Sequence, residues 1–124
     1  MASFVSSVLR ALPTFAALAF ALPALAEGDA WTIVGRQGIL IHVIVPLHQS
    51  RDRDAYLRQV PVICGNQETC FVNFYTNSSG ATAELPLPNA IASESTAVLR
   101  RSAKQGVDGL LWSCRMQMPE PDCF

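Results

Sequence analysis

The first 26 residues constrain this chain most, because they have the composition of a secretory signal peptide. Residues 1–10 carry one basic side chain and no acidic one, and an apolar, alanine-rich stretch follows over residues 11–22. A proline then precedes Ala24-Leu25-Ala26, which fits the small-x-small pattern that signal peptidase cleaves. The sequence therefore predicts that residues 1–26 are removed and that residues 27–124 form the folded protein.

A membrane anchor is the alternative interpretation of the same segment. A spanning helix needs roughly 20 consecutive apolar residues, whereas this run is shorter and is interrupted by Pro13. No cysteine follows Ala26 directly, so a lipoprotein anchor is not predicted either. We therefore expect a periplasmic or secreted protein that has no membrane span once the signal peptide is cleaved.

The remaining 98 residues correspond to one small domain. Without Arg10, this segment has eight basic side chains against ten acidic ones, which is a net charge of −2. Such a charge argues against a protein that holds a nucleic-acid backbone. Seven of the eight basic residues are arginine, and with the alanine content this bias indicates a GC-rich bacterial genome and hence a periplasm.

All four cysteines lie in the segment predicted to be exported. In an oxidising compartment an even set is expected to form disulfides, and three pairings are possible. We predict the pairs Cys64–Cys70 and Cys114–Cys123, because each pair flanks a short polar loop. Such bridges would stabilise a domain that is marginal at this size without them.

Redox catalysis and zinc binding are the two other roles open to these cysteines. Thiol–disulfide enzymes commonly use Cys-x-x-Cys at a helix N-terminus, where a thiolate is stabilised. Here five residues separate Cys64 from Cys70, and Cys64 falls at the predicted end of a helix, where the dipole disfavours a thiolate. Neither Cys-x-x-Cys nor His-x-x-x-His is present for zinc. Structural disulfides are favoured, and no cofactor or metal is predicted.

Two apolar segments predict the strands of a parallel βαβ unit. Ile39–Val45 is β-branched and apolar apart from His42, which is typical of a strand buried on both faces. Cys70–Thr76 is rich in aromatic and β-branched residues and is the second strand. A helix between them implies a right-handed crossover with parallel strands.

The connecting helix is indicated by apolar residues at helical spacing. Tyr56, Val60 and Ile63 follow one another at i, i+4 and i+7. Ser50 is the predicted cap of this helix. Pro61 is expected to end or kink it near Val60, since proline removes a backbone donor.

The C-terminal part predicts a second helix and a β-hairpin. Asn89 can cap a helix that reaches about Ser95, and Thr96–Ser102 could extend that helix or form a strand. We favour a strand, because Leu110–Met116 alternates apolar and polar residues after a glycine-containing turn and would complete a hairpin. Trp31–Val34 is a possible short edge strand. The predicted fold is therefore α+β: a parallel βαβ unit, a second helix and a C-terminal hairpin in a small, mixed, four-stranded sheet with two disulfides.

His48 is the strongest candidate for a functional side chain. It follows the first parallel strand, and ligands bind beyond the carboxyl ends of such strands. Ser50, Arg51 and Asn77 would lie near the same edge of the sheet, so we predict a binding site formed from these four residues. His42 is interpreted as a core or pocket-edge histidine. A straight strand would place it about 20 Å from His48, too far for a shared metal.

The aromatic residues could form a sugar-binding platform if their rings faced outward, but core packing is the favoured interpretation. These rings belong to Phe71, Phe74, Tyr75 and Trp112. No nucleophile elbow, phosphate loop or zinc-protease motif is present in the sequence. We therefore expect a non-catalytic binding, inhibitor or accessory protein with an envelope or secreted protein partner. The alternative is a small periplasmic hydrolase or transferase that uses His48.

Overall fold

The structure is a computed structural model, and it describes residues 11–17 and 30–124. The predicted cleavage site lies outside the described residues. Of the predicted signal peptide only residues 11–17 are described, and they are exposed and have no regular secondary structure. Across the described parts of the chain, no helix has both the length and the apolar character needed to cross a membrane.

A five-stranded mixed sheet with two helices confirms the α+β class. The strands follow one another in space in the order of the chain, and only the second and third are parallel, as the βαβ prediction requires. The elements are β1 (Thr32–Gln37), β2 (Leu40–Ile44), α1 (Arg53–Cys64), β3 (Thr69–Tyr75), α2 (Asn89–Ala92), β4 (Ser95–Ser102) and β5 (Val107–Trp112).

The additional strand is β1, which the sequence indicated only as a possible short edge strand. β1 extends past Val34 to Gln37 and pairs antiparallel with β2, with an irregularity between Ile33 and Gly35. The tight connection to β2 contains Gly38 at φ 60°, a conformation that glycine adopts without a steric penalty. The sheet therefore has one strand more than the four predicted.

Helix α1 begins later than predicted and ends at Cys64, the cysteine that was predicted to lie at its end. Its N-cap is Asp52 rather than Ser50, and the Asp52 carboxylate accepts a hydrogen bond of 3.3 Å from the backbone N–H of Ala55. The helix continues through Pro61 to Cys64, so an end near Val60, one of the two effects expected of Pro61, is wrong. A proline within the last turn removes a single backbone donor, and the buried residues beyond it hold the helix in place.

Helix α1 packs on one face of the sheet, and this contact forms the core. Alternate residues of β2, β3, β4 and β5 point toward the helix, because successive side chains of a strand point to opposite faces. Tyr56 is at the centre, with its ring edge-on to Trp31, Phe74 and Trp112 at centroid distances of 4.9, 5.0 and 4.8 Å. The buried cluster comprises Ile41, Val43, Val45, Tyr56, Val60, Ile63, Cys64, Cys70, Val72, Phe74, Ala97, Leu99, Leu110, Trp112 and Met116.

The C-terminal third differs from the prediction in its boundaries. The ambiguous segment is a strand, Ser95–Ser102, as favoured, but α2 is a single turn that ends at Ala92. β5 stops at Trp112, and Cys114–Met116 forms a 3-10 helix instead of continuing the strand. Cys114 is therefore exposed, although Met116 still reaches the core.

Both predicted disulfides are present and account for all four cysteines. Cys64–Cys70 joins the end of α1 to the start of β3, with the two Cα atoms 5.8 Å apart. Cys114–Cys123 closes the C-terminal tail, with the Cα atoms 4.9 Å apart. Both distances lie within the usual range for disulfides.

Candidate functional site

The structure places the four predicted site residues around the carboxyl edge of β2 and β3. His48 lies in the exposed 3-10 turn Leu47–Gln49. Ser50 is buried at the end of that turn: its hydroxyl donates to the carbonyl of Leu47 at 2.7 Å, and its own carbonyl accepts from the hydroxyl of Tyr56 at 2.7 Å. Ser50 therefore has a structural role in the turn.

Arg51 and Asn77 bond to two other parts of the chain. The Nη2 of Arg51 donates to the carbonyl of Gln117 in the C-terminal tail, at 3.2 Å. The Nδ2 of Asn77 donates to the carbonyl of Ala81 at 2.7 Å, within its own loop. A shared site of His48, Ser50, Arg51 and Asn77 therefore stays a prediction, with three of its members engaged in holding separate segments.

A polar network that the sequence did not indicate occupies the same edge. The Glu94 carboxylate accepts hydrogen bonds from the backbone N–H of Ser78 at 3.0 Å and from the hydroxyl of Thr76 at 3.1 Å. Arg115 donates to the carbonyl of Ser95 at 2.6 Å. Desolvation raises the pKa of Glu94, but these hydrogen bonds and the charge of Arg115 outweigh it, so the pKa is lowered from 4.5. Glu94 is thus an ionised structural carboxylate.

The hydroxyl of Tyr56 extends this network into the core. It donates to the carbonyl of Ser50 and lies 2.8 Å from the hydroxyl oxygen of Thr96. Because a phenol has a single proton, Thr96 is the donor in the second bond. Burial raises the pKa of Tyr56 to about 12, against the opposing effects of Thr96 and Arg115. Tyr56 therefore stays protonated at neutral pH and acts as a structural residue.

The opposite face of the sheet has a different character, because several of its polar groups are incompletely bonded. We call its central part the second face, which we define as eight side chains that alternate with those of the core. Apart from His42 and Tyr75, which are buried, its members are half-buried. They are Leu40, His42, Phe71, Asn73, Tyr75, Val98, Arg100 and Leu111.

Among these eight described residues, Arg100 is the one with a charged side chain. Its Nη2 donates to the Oδ1 of Asn73 at 3.0 Å, and its Nη1 donates to the carbonyl of Leu99 at 2.9 Å and to that of Val72 at 3.4 Å. The guanidinium carbon lies 5.5 Å from the centre of the Phe71 ring, which is within the range of a cation–π contact. The guanidinium is thus oriented by four neighbours.

No acidic side chain of the described residues neutralises Arg100. The ion pairs in residues 30–124 involve other arginines, and Arg101, the next residue along β4, pairs with Asp108 at 3.2 Å. Desolvation by burial lowers the pKa of Arg100 from its usual value, although Tyr75 opposes this effect. Arg100 nevertheless stays charged at any physiological pH. Within the described part of the chain, the second face therefore carries one positive charge without an acidic partner, among half-buried apolar side chains.

His42 lies on β2, across β3 from Arg100, and is 5% exposed. Its ring stacks on that of Tyr75 at a centroid distance of 5.8 Å, and neither ring nitrogen has a hydrogen-bond partner in the described structure. Gly35, which pairs with His42, has Leu85 above it: a Cβ atom there would lie 2.9 Å from Cδ1 of Leu85. The segment between β3 and α2 thus passes over the second face at this point.

The burial of His42 predicts that acid destabilises the protein. Desolvation lowers the pKa of His42 from 6.5 in the folded state, so below pH 6.5 the unfolded chain binds more protons than the folded one. The free energy of unfolding should therefore fall as the pH drops through 6.5 and below. Urea unfolding at pH 7.5 and at intervals down to pH 5 measures this, and His42→Phe should flatten that part of the profile. An unchanged profile in His42→Phe would contradict the assignment.

The sequence did not indicate Asn73 or Arg100 as site residues, and the core position that it favoured for the four aromatic rings is right for only two of them. Phe74 and Trp112 pack in the core as favoured, whereas Phe71 and Tyr75 lie on the second face. The available signal was the register: residues of one face recur at every second position, so Asn73 interrupts an aromatic strand on the same side as Phe71 and Tyr75. Arg100 faces that side because it pairs directly with Phe71.

A groove lies between α1 and the β4–β5 hairpin. Its volume is about 270 Å³. The floor is apolar, and the two arginines at its rim already have acidic partners, Arg53 with Glu120 and Arg101 with Asp108. The groove is lined by Arg53, Leu57, Val60, Pro61, Leu99, Arg101, Asp108, Gly109 and Leu110. The charged side chains of the groove are therefore paired with each other or with Glu120, whereas Arg100 on the second face has no acidic partner among the described residues.

Comparisons of this chain with family models, curated proteins and solved structures find no match. Within residues 11–17 and 30–124, no group of three or more histidine, cysteine, aspartate or glutamate side chains could hold a metal ion. The function is therefore argued from the second face and the disulfide frame.

Proposed function

We propose that this protein is a small exported module, without catalytic activity, that binds a protein partner of the bacterial envelope through its second face. It would act in the periplasm or outside the cell as an inhibitor or an accessory subunit. The proposal rests on the charge of Arg100, which no acidic side chain in residues 30–124 pairs with, among the half-buried side chains of Phe71, Val98 and Leu111. A partner surface that supplies apolar contacts and a negative charge would complete this face.

The two disulfides support export. Disulfides form and persist in oxidising compartments and are rare in the cytosol, and every cysteine of this chain is paired. The bridge between Cys64 and Cys70 is buried, so it belongs to the folded frame and is poorly placed for exchange with external thiols. The predicted signal peptide and the periplasmic location fit this frame.

The polar edge of the sheet supports binding over catalysis. The alternative, a hydrolase or transferase that uses His48, would draw on Ser50 and Asn77 as its companions. Both of these side chains instead hold their own segments through hydrogen bonds of 2.7 Å. We therefore expect His48→Ala to leave partner binding unchanged.

The proposal predicts that a partner contacts the second face and not the helical face. A photo-reactive amino acid is placed at Val98 on the second face or, as a control, at Leu57, which is 47% exposed on α1. After illumination of exporting cells, Val98 should yield one adduct of defined mass and Leu57 should yield none. Adducts from Leu57 alone, or equally from both positions, would contradict the assignment of the face. Loss of the Val98 adduct in His48→Ala would favour the alternative edge site.

A further inference from the structure

We infer that the second face binds a carboxylate group of the partner at Arg100, beside Asn73. The inference rests on the proposed binding function and specifies its chemistry. It depends on three features: the donors that Arg100 has left, the incompletely bonded amide beside it, and the single charge of the site.

Arg100 retains two N–H donors after its contacts within the protein are counted. A guanidinium has five N–H groups. Nη1 uses two of them on the carbonyls of Val72 and Leu99, and Nη2 uses one on Asn73. The Nε–H and one Nη2–H remain without an acceptor among the described residues. These nitrogens are adjacent on one edge of the planar group, and such an edge binds a carboxylate through two parallel hydrogen bonds.

An incompletely bonded amide, that of Asn73, lies beside this guanidinium. His42 and Asn73 are directly opposite each other in the parallel register of β2 and β3. The amide of Asn73 reaches the hydroxyl of Tyr75 only at 3.5 Å, and both nitrogens of His42 are buried without a partner. A carboxylate bound at Arg100 would offer an oxygen acceptor to the Nδ2 of Asn73, whose Oδ1 already accepts from Arg100.

The charge of the site favours a carboxylate over a phosphate. Arg100 is a single positive charge, and its neighbours on the second face are neutral. A monoanion balances it, whereas a phosphate dianion would leave a negative charge on a half-buried surface. The segment 27–124 has a net charge of −2, which further opposes multiply charged anions at long range.

Titration of the purified protein, observed through the NMR signal of the Arg100 Nε–H, tests the inference. The probes are acetate and two capped tripeptides, Leu-Glu-Leu and Leu-Gln-Leu, in sodium chloride of constant ionic strength. Leu-Glu-Leu should shift the signal saturably and bind at least about tenfold more tightly than acetate, because its side chains cover the apolar surround. Leu-Gln-Leu should not bind. Equal shifts with chloride alone, or tighter binding of phosphate, would overturn the assignment.

Variants separate binding from a purely structural role of Arg100. Arg100→Lys removes the planar fork and should weaken Leu-Glu-Leu binding by about tenfold, whereas Arg101→Lys, the same change on the other face, should leave it unchanged. Asn73→Asp supplies an internal carboxylate at the position that now bonds Arg100, so it should keep the fold and abolish binding. Undiminished binding in Asn73→Asp would overturn the inference even if Arg100→Lys does not fold.

These titrations are independent of the cross-linking experiment. Equal affinity for acetate and Leu-Glu-Leu would show that the site takes a free small acid, and would overturn its assignment to a partner's side chain. If the tripeptide fails to bind while Val98 still forms its adduct, the carboxylate inference is wrong and the proposed function stands.

Discussion

Tyr56→Ala is expected to destabilise the protein by about 3–5 kcal/mol, the usual range for deleting a large core aromatic side chain. Tyr56 is completely buried and is edge-on to three other aromatic rings. The substitution would leave a cavity at the centre of the core and would remove the hydroxyl that bonds Ser50 and Thr96. A domain of this size has a total stability of about 5–15 kcal/mol, so the variant should be largely unfolded at modest urea concentrations.

Two further variants divide this loss into its parts. Tyr56→Phe keeps the ring and removes only the hydroxyl, which leaves the carbonyl of Ser50 and the hydroxyl of Thr96 without that partner. We expect it to cost about 1–3 kcal/mol. Leu57→Ala is the matched control on the same helix, because Leu57 is exposed, and it should change the stability by less than about 0.5 kcal/mol. Urea unfolding followed by tryptophan fluorescence measures all three. A loss below about 1 kcal/mol in Tyr56→Ala would show that the core is not centred on this residue.

The regular elements could be predicted because their apolar patterns are local. The strand around Ile41 and Val43 and the helix through Tyr56 and Val60 each carry their own periodicity, and strand, helix, strand then determines the parallel pairing. The disulfides could be predicted because their short spacings limit the geometry. The boundaries were less accurate, because capping by Asp52 and packing beyond Pro61 depend on contacts that local propensity does not contain.

The second face could not be predicted because it depends on how three strands align. Asn73 and Arg100 are 27 residues apart in the chain, and only the register of β3 against β4 brings them together on one face. A shift of one residue in either strand would have turned one of them toward the core. The edge network has the same origin, since Arg115 reaches the β3–β4 end only because β5 stops at Trp112 and the chain turns there.

Removal of the Cys64–Cys70 disulfide is expected to destabilise the protein by an amount in the same range as Tyr56→Ala. In the chain-entropy model, a loop closed at a separation of 6 residues contributes about 2–3 kcal/mol, and one closed at a separation of 9 residues contributes nearly the same. Loop closure alone therefore does not distinguish the two bridges. Burial does, because Cys64 and Cys70 are each 2% exposed and belong to the core cluster, whereas Cys114 and Cys123 are exposed.

The double variant Cys64→Ala/Cys70→Ala should accordingly lose about 3–5 kcal/mol, and Cys114→Ala/Cys123→Ala about 2–3 kcal/mol. The C-terminal pair should have the smaller effect for a second reason. The tail is also held by hydrogen bonds between Phe124 and the backbone of Trp112 and Cys114, and by the ion pair of Arg53 with Glu120. Urea unfolding under non-reducing conditions compares the two variants. A larger loss from the C-terminal pair would mean that the tail, and not the junction of α1 with β3, closes the fold.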